Sequence, residues 1–169
     1  MLKMKGLSAK EVEIISWLEF HQKYFFSTAD IGQFAKDKTQ RYNIIKALIK
    51  KKRIVKLNKA KYYLIPIKAK SGSWSEHDFI IVDEACDGED YFIGGWSAAN
   101  YWRLTEQIPM RVDVFTTRRQ GVLRVLNTRI IFRRTTPNKA KRAVISHIGI
   151  HSFRVQPKEE SRIWLKSRN

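Results

Sequence analysis

The sequence predicts an α+β protein of two domains, and three observations carry that expectation. The 169 residues give room for one large or two small domains, and 43% apolar content is enough for a buried core. The charge falls into blocks. Residues 1–70 hold 17 Lys and Arg against 5 Asp and Glu, residues 71–107 hold one Arg against 8 acids, and residues 108–169 hold 15 against 3, within a net charge of +17. The hydrophobic pattern also changes along the chain, from helical spacing before residue 52 to short β-rich runs interleaved with helical stretches after it.

Taken in order, Ser8-Ala-Lys-Glu11 is a capping-box pattern followed by Val12, Ile14, Ile15, Trp17 and Leu18, which predicts a first helix ending near Phe20. Ser27-Thr-Ala-Asp30 predicts the cap of a second, shorter helix carrying Ile31 and Phe34. Asp37 or Thr39 opens a third helix, Thr39 to Lys52. On a helical wheel Tyr42, Ile45, Leu48 and Ile49 form its core-facing stripe. Gln40, Asn43 and Ala47 then point outward, flanked by Lys50 and Lys51. Arg53 to Leu57 and Tyr62 to Ile65, around Asn58-Lys-Ala-Lys61, predict a hairpin with a basic tip. Three helices followed by such a hairpin is the order of a winged helix-turn-helix domain, assigned here to residues 1–66.

Pro66 to Ser75 is rich in Pro, Gly and Ser and lacks periodicity, so a linker is placed at 67–76, with Trp74 expected to dock on one of the two domains. A small mixed α/β domain is expected over 77–169. Ser75 is expected to cap a helix running to about Cys86, and Asp87 to Asp90 reads as a turn. Tyr91 to Ile93 is a short buried strand, broken by Gly94-Gly95 before a helix from Trp96 to Leu104. Met110 to Thr116, Leu123 to Val125 and Arg129 to Phe132 are strands, with a turn at Arg118 to Gly121. Past Pro137 the pattern weakens. Ala143 to Ile150 and Ser152 to Val155 fit strands, and Ile163-Trp-Leu165 fits a last apolar anchor.

The positive excess calls for a polyanion, nucleic acid before an anionic membrane. No apolar run approaches the roughly 18 residues of a span, no signal-peptide pattern is seen, and Cys86 alone excludes an intramolecular disulfide and a cysteine-rich zinc site. The expectation is a cytoplasmic, non-enzymatic protein with no cofactor and no membrane partner, bound to double-stranded DNA at an operator of inverted repeats. Amide side chains on a short-sided helix face suit the major groove, where Asn and Gln bond bidentately to adenine. Gln40, Arg41 and Asn43 are therefore the expected base contacts, and Lys38, Lys50, Lys59 and Lys61 the expected phosphate contacts, with Thr39 on the same surface. Arg118, Arg119, Arg124, Arg129, Arg133 and Arg134 form a second basic surface, for DNA or an acidic partner, or else a solvated strand face.

Ile93-Gly-Gly-Trp-Ser97 followed by Arg111-Val-Asp-Val-Phe115 has the outline of a polymerase-beta-type nucleotidyltransferase, whose Asp-x-Asp holds two metal ions. Here Phe115 stands in the place of the second carboxylate. His147 and His151 would share a strand face but have no accompanying carboxylate, and Ser97 has no His at motif spacing. An RNA-binding adaptor is a further alternative, with Tyr62 and Tyr63 among Lys59, Lys61 and Lys68.

Tyr91 to Ala99, Arg111 to Thr117 and the Arg-rich strands ending in Ile130-Ile-Phe-Arg-Arg134 together resemble the start of the C-terminal domain of the AbiEi family, the antitoxins of type IV toxin–antitoxin systems. The resemblance spans roughly residues 8–135. It implies a repressor of its own operon joined to a domain that counteracts a nucleotidyltransferase-like toxin, without a stable complex between the two. Family members continue with a further helical segment after these strands, where this chain reaches Asn169.

Overall fold

The computed structural model describes residues 6–66 and 76–168, which divide into two compact units, one up to Ser75 and one from Glu76. Except for Glu76, the expected linker, Trp74 included, lies outside the described residues, as does Ser75, the expected cap. The architecture is mixed α and β with two separate sheets. No described helix is long and apolar enough to cross a membrane.

The first unit opens with helix α1 (Ala9–Phe20). Its capping box is complete: Ser8 Oγ accepts from the Glu11 backbone N–H, and Glu11 Oε2 accepts from the Ser8 N–H at 2.6 Å. Strand β1 (Phe25–Ser27) follows and was not expected. The short helix expected from Ser27 is instead a tight turn and one 3-10 turn over Gly32–Phe34. The Asp30 carboxylate reaches back to accept from both N–H and Oγ of Ser27, and Ser27 itself is drawn into the sheet opposite Lys61. Gly32, a poor helix former, opens the 3-10 turn, which closes at Ala35.

Helix α2 (Lys38–Lys50) is capped by Asp37, whose Oδ1 accepts from the Gln40 N–H at 2.8 Å. It closes through a left-handed Lys52 and a bond from the Arg53 N–H to the Leu48 carbonyl. Strands β2 (Ile54–Lys56) and β3 (Lys61–Leu64) form the expected hairpin. The sheet is antiparallel throughout, in the order β1-β3-β2. Ile14, Leu18, Phe26, Ile31, Ile45, Leu48 and Leu64 pack into one core. Inside it, Glu11 is buried and takes the Lys51 ammonium at 2.5 Å, tying the start of α1 to the end of α2.

The second unit is built on a six-stranded mixed sheet. Helix α3 (Asp78–Ala85) is capped by His77, whose Nδ1 accepts from the Phe79 N–H. Strand β4 (Tyr91–Gly94), helix α4 (Gly95–Tyr101), and strands β5 (Val112–Thr116), β6 (Gly121–Val125) and β7 (Thr128–Arg134) follow. After them come helix α5 (Pro137–Lys141), the hairpin of β8 (Val144–Ile148) and β9 (His151–Val155), and helix α6 (Lys158–Lys166). The strand order is β6-β7-β5-β4-β9-β8, with β5/β7 and β4/β9 parallel and the other pairs antiparallel. Helices α5 and α6 were not expected. Thr136 and Pro137 supply a cap and a preset first turn for α5. In α6 the anchor is Trp164, while Ile163 faces out.

Side chains alternate across this sheet. Tyr91, Ile93, Val112, Val114, Ile130, Phe132, Phe153 and Val155 are buried, and α3 packs against β5 and β9. The register places Phe92, Gly94, Asp113, Phe115, Ile131 and Arg133 on the opposite face.

The Glu11 pair sets an acid limit on the first unit. Burial pushes the Glu11 pKa up, but hydrogen bonds from Lys51 and Ser8 outweigh burial and hold it below the ordinary value; Asp30, bonded by Lys23 and Ser27, is held at about 2. Both are depressed, so their stabilisation is present above the ordinary carboxylate range and is lost as pH falls through the lowered values. The melting temperature is expected to fall between pH 5 and pH 2, with a shallower fall in Glu11→Gln. Glu11→Ala strands the Lys51 charge and is expected to cost about 3 kcal/mol at pH 7, read from urea unfolding.

Candidate nucleic-acid interface

In the first unit, α2 exposes Thr39, Tyr42, Asn43, Lys46, Ile49 and Lys50 along one side. Tyr42 is 64% exposed and Ile49 39%, so neither belongs to the core stripe expected of them. Ile44 and Arg41 take their place beside Ile45 and Leu48, and the helix is turned by roughly 60° from the expected orientation at 100° per residue. Hydropathy does not separate Ile44 from Ile49, and the wheel counted Arg41 as polar. In the fold Arg41 lies along Gly32, 3.3 Å from where a Cβ would stand, with its Nε buried. Its guanidinium is folded back against Gly32, away from the exposed side of α2.

Gln40 is exposed, but its Oε1 accepts from the Lys36 N–H at 2.7 Å, so this amide braces the loop before the helix. Lys51 is held by Glu11 and Ala47 is half-buried, so neither is on the open face. Asn43, Lys38, Thr39 and Lys50 are exposed as expected, and Lys59 is exposed at the hairpin tip. The tip is shaped by Asn58, whose Oδ1 accepts from the Ala60 and Lys61 N–H groups. Lys61 is half-buried in β3, opposite Ser27. Lys46 was missed, although it lies three residues after Asn43 and four before Lys50, the spacing of a shared helix face.

The six expected arginines of the second unit do not form one surface. Arg118 is bound into the acidic turn, 3.1 Å from both Glu89 and Asp90 and 3.8 Å from Asp87, and it also donates to the Cys86 carbonyl. Its charge is spent within the unit. Arg119 lies over the Phe132 ring at 4.0 Å, and Arg134 donates to the Thr117 carbonyl. Arg124 and Arg129 face each other across β6 and β7, both exposed.

Arg133 reaches a groove of about 1080 Å³ beside β4 and β5, lined also by Phe92, Phe115, Asp113, Trp96 and Trp164. Arg111, Arg134, Lys139, Arg142 and Arg168 complete a basic rim, with Glu160 beside them. Asp113 is 5% exposed and is met from both sides, by Arg111 Nε at 3.5 Å and Arg133 Nη2 at 3.4 Å. Phe115 shares its face and stacks on Phe92, with ring centres 5.1 Å apart and planes 11° from parallel. The glycines serve this packing. A Cβ on Gly94 would stand 2.7 Å from the Phe115 ring, and Gly95 takes a φ of +59° beside Asp113 and Trp164.

The remaining chemical candidates are dispersed. Ser97 is buried and donates to the Arg111 carbonyl. His147 and His151 are exposed and lie on two different strands of the β8–β9 hairpin, not on one strand as expected, because the chain turns at Gly149 and Ile150 between them. Burial pushes the Cys86 thiol up to about 12. Among the described residues no three His, Cys, Asp or Glu side chains gather as a metal site. No family model matches the chain, and no curated protein matches it.

The rotated helix is checked by stability alone. Tyr42→Ala is expected to change unfolding free energy by less than about 0.5 kcal/mol, while Ile45→Ala removes a core side chain and is expected to cost about 2–5 kcal/mol. Equal losses in denaturant titration would restore the orientation predicted from the wheel.

Proposed function

We propose that this chain is a duplex-DNA-binding transcriptional regulator whose first unit works as a winged helix. The observation that carries the reading is the outer side of α2, where Asn43 lies between Tyr42 and Lys46 with Lys50 one turn on, all exposed. Asn43 offers the amide pair that bonds adenine N6 and N7, and Ile49 offers an apolar edge to a thymine methyl. Lys38, Lys46 and Lys50 flank them for phosphate, and Lys59 stands at the tip of the β2–β3 hairpin, where a wing meets the backbone. The strand order β1-β3-β2, with α1 before β1 and α2 leading into the β2–β3 hairpin, supports the same reading. An operator of inverted repeats follows if two copies bind together.

The resemblance of residues 91–134 to the AbiEi pattern extends the reading to an antitoxin that represses its own toxin–antitoxin operon. It is read as a non-enzymatic protein, because of the two groove carboxylates Asp113 is engaged by two arginines and Glu160 by Arg142, and Phe115 occupies the position next to Asp113 on its face.

The test uses the full chain and a duplex selected from a random pool, against a scrambled duplex, at two salt concentrations. Asn43→Ala is expected to lose about 5- to 150-fold on the selected duplex and nothing on the scrambled one, with its salt slope unchanged. Lys46→Ala and Lys50→Ala are expected to weaken both duplexes together and to lower the slope by about 0.9 per lost contact. If the chain binds no duplex at low salt, the proposal fails.

A further inference from the structure

The sheet of the second unit has one face that its helices leave partly bare. On β6 and β7 the register puts Val122, Arg124, Arg129, Ile131 and Arg133 on the face that Asp113 and Phe115 occupy on β5. Arg124, Arg129 and Val122 are exposed, and Ile131 is half-buried. Towards β4 the same face runs into the groove, where Phe115 lies on Phe92 and is flanked by Trp96 and Trp164. Trp96 and Trp164 meet edge to face with centres 5.3 Å apart, and the Arg168 guanidinium sits 5.4 Å from the Trp164 ring. Across the strands the arginines of β6 and β7 therefore give way to the aromatic rings of β5 and β4 on the same face.

We propose that this face binds a single-stranded nucleic acid, stacking unpaired bases on Phe115 and the Trp96–Trp164 pair and holding the backbone with Arg124, Arg129 and Arg133. Three arguments choose a strand over other anions. Bases in a duplex present only their edges, so planar rings on a protein surface stack on them only when they are unpaired. A free nucleotide would use the groove but leaves Arg124 on β6 and Arg129 on β7, both outside the groove lining, without a role. An acidic peptide would pair with the arginines but has no flat ring to match Phe115 and the tryptophans. Asp113 has a positioning part: its two oxygens hold Arg111 and Arg133 at the groove, limiting the freedom each arginine loses on meeting phosphate. RNA and DNA strands share the required chemistry, and the experiment separates them.

The experiment measures fluorescence anisotropy of the full chain with labelled oligo-U and oligo-dT of 12 nucleotides, and with a duplex of mixed sequence. Phe115→Leu is expected to weaken strand binding 5- to 150-fold while duplex binding stays unchanged. The exposed pair Arg124→Gln and Arg129→Gln does not depend on core packing. Each is expected to weaken strand binding and to lower its salt slope by about 0.7. Lys46→Ala, in the first unit, is expected to weaken the duplex and spare the strand, so failure of this proposal is distinct from failure of the duplex-DNA reading. Tighter binding of oligo-U than oligo-dT assigns the face to RNA, and the reverse assigns it to DNA. The proposal is overturned if neither strand binds, or if both arginine variants bind strands as wild type does. It is also overturned if uridine monophosphate or poly-glutamate displaces the strand at equal concentration of charge, or if the duplex competes equally for the site.

Discussion

Sixteen carboxylates must organise thirty-three lysines and arginines, and that shortage shapes both units. Like charges on a compact chain repel one another, so each acid placed inside a unit fixes particular cations and leaves the others to face outward. Glu11 takes Lys51, Asp30 takes Lys23, and the acidic turn before β4 takes Arg118. Asp113 takes Arg111 and Arg133, and Glu160 takes Arg142. Among the cations left exposed are Lys38, Lys46 and Lys50 on one side of α2, and Arg124 and Arg129 on one sheet face. The blocks of charge in the sequence are thus partly consumed within the fold, because the acids of residues 71–107 meet Arg118 of the third block.

In the second unit the same economy is coupled to packing. Gly94 allows the Phe115 ring to lie where any side chain would collide with it, and Gly95 lets α4 start beside Asp113. Phe115 is thereby held flat on Phe92, with Trp164 brought against Gly95 from the far end of the chain. The Gly-Gly pair reads naturally as a phosphate-binding turn. In this chain its neighbours are an aromatic ring and a carboxylate already engaged by arginines, so its work is close packing.

Local chemistry was legible where a residue's role depends on its near neighbours. The Ser8–Glu11 box, the Asp37 cap, the 54–64 hairpin, the alternation in β5 and the strands β8 and β9 all follow from patterns within a few residues. The exposure of Asn43 and Lys50 was legible for the same reason, since helix period and polarity agree there.

By itself, then, the sequence determined two units of α+β character, a large positive excess and a helix carrying polar and basic residues at α2. Tertiary structure alone decided which way that helix faces, because Ile44 and Ile49 are equivalent to any hydropathy scale and only the position of α1 and the 3-10 turn selects Ile44. It alone decided that Ser27 joins a sheet rather than a helix, since its partner Lys61 lies 34 residues away. And it alone sorted the arginines, because Arg118 and Arg124 look alike along the chain and differ only in what the fold brings to them: three carboxylates for the first and open solvent for the second.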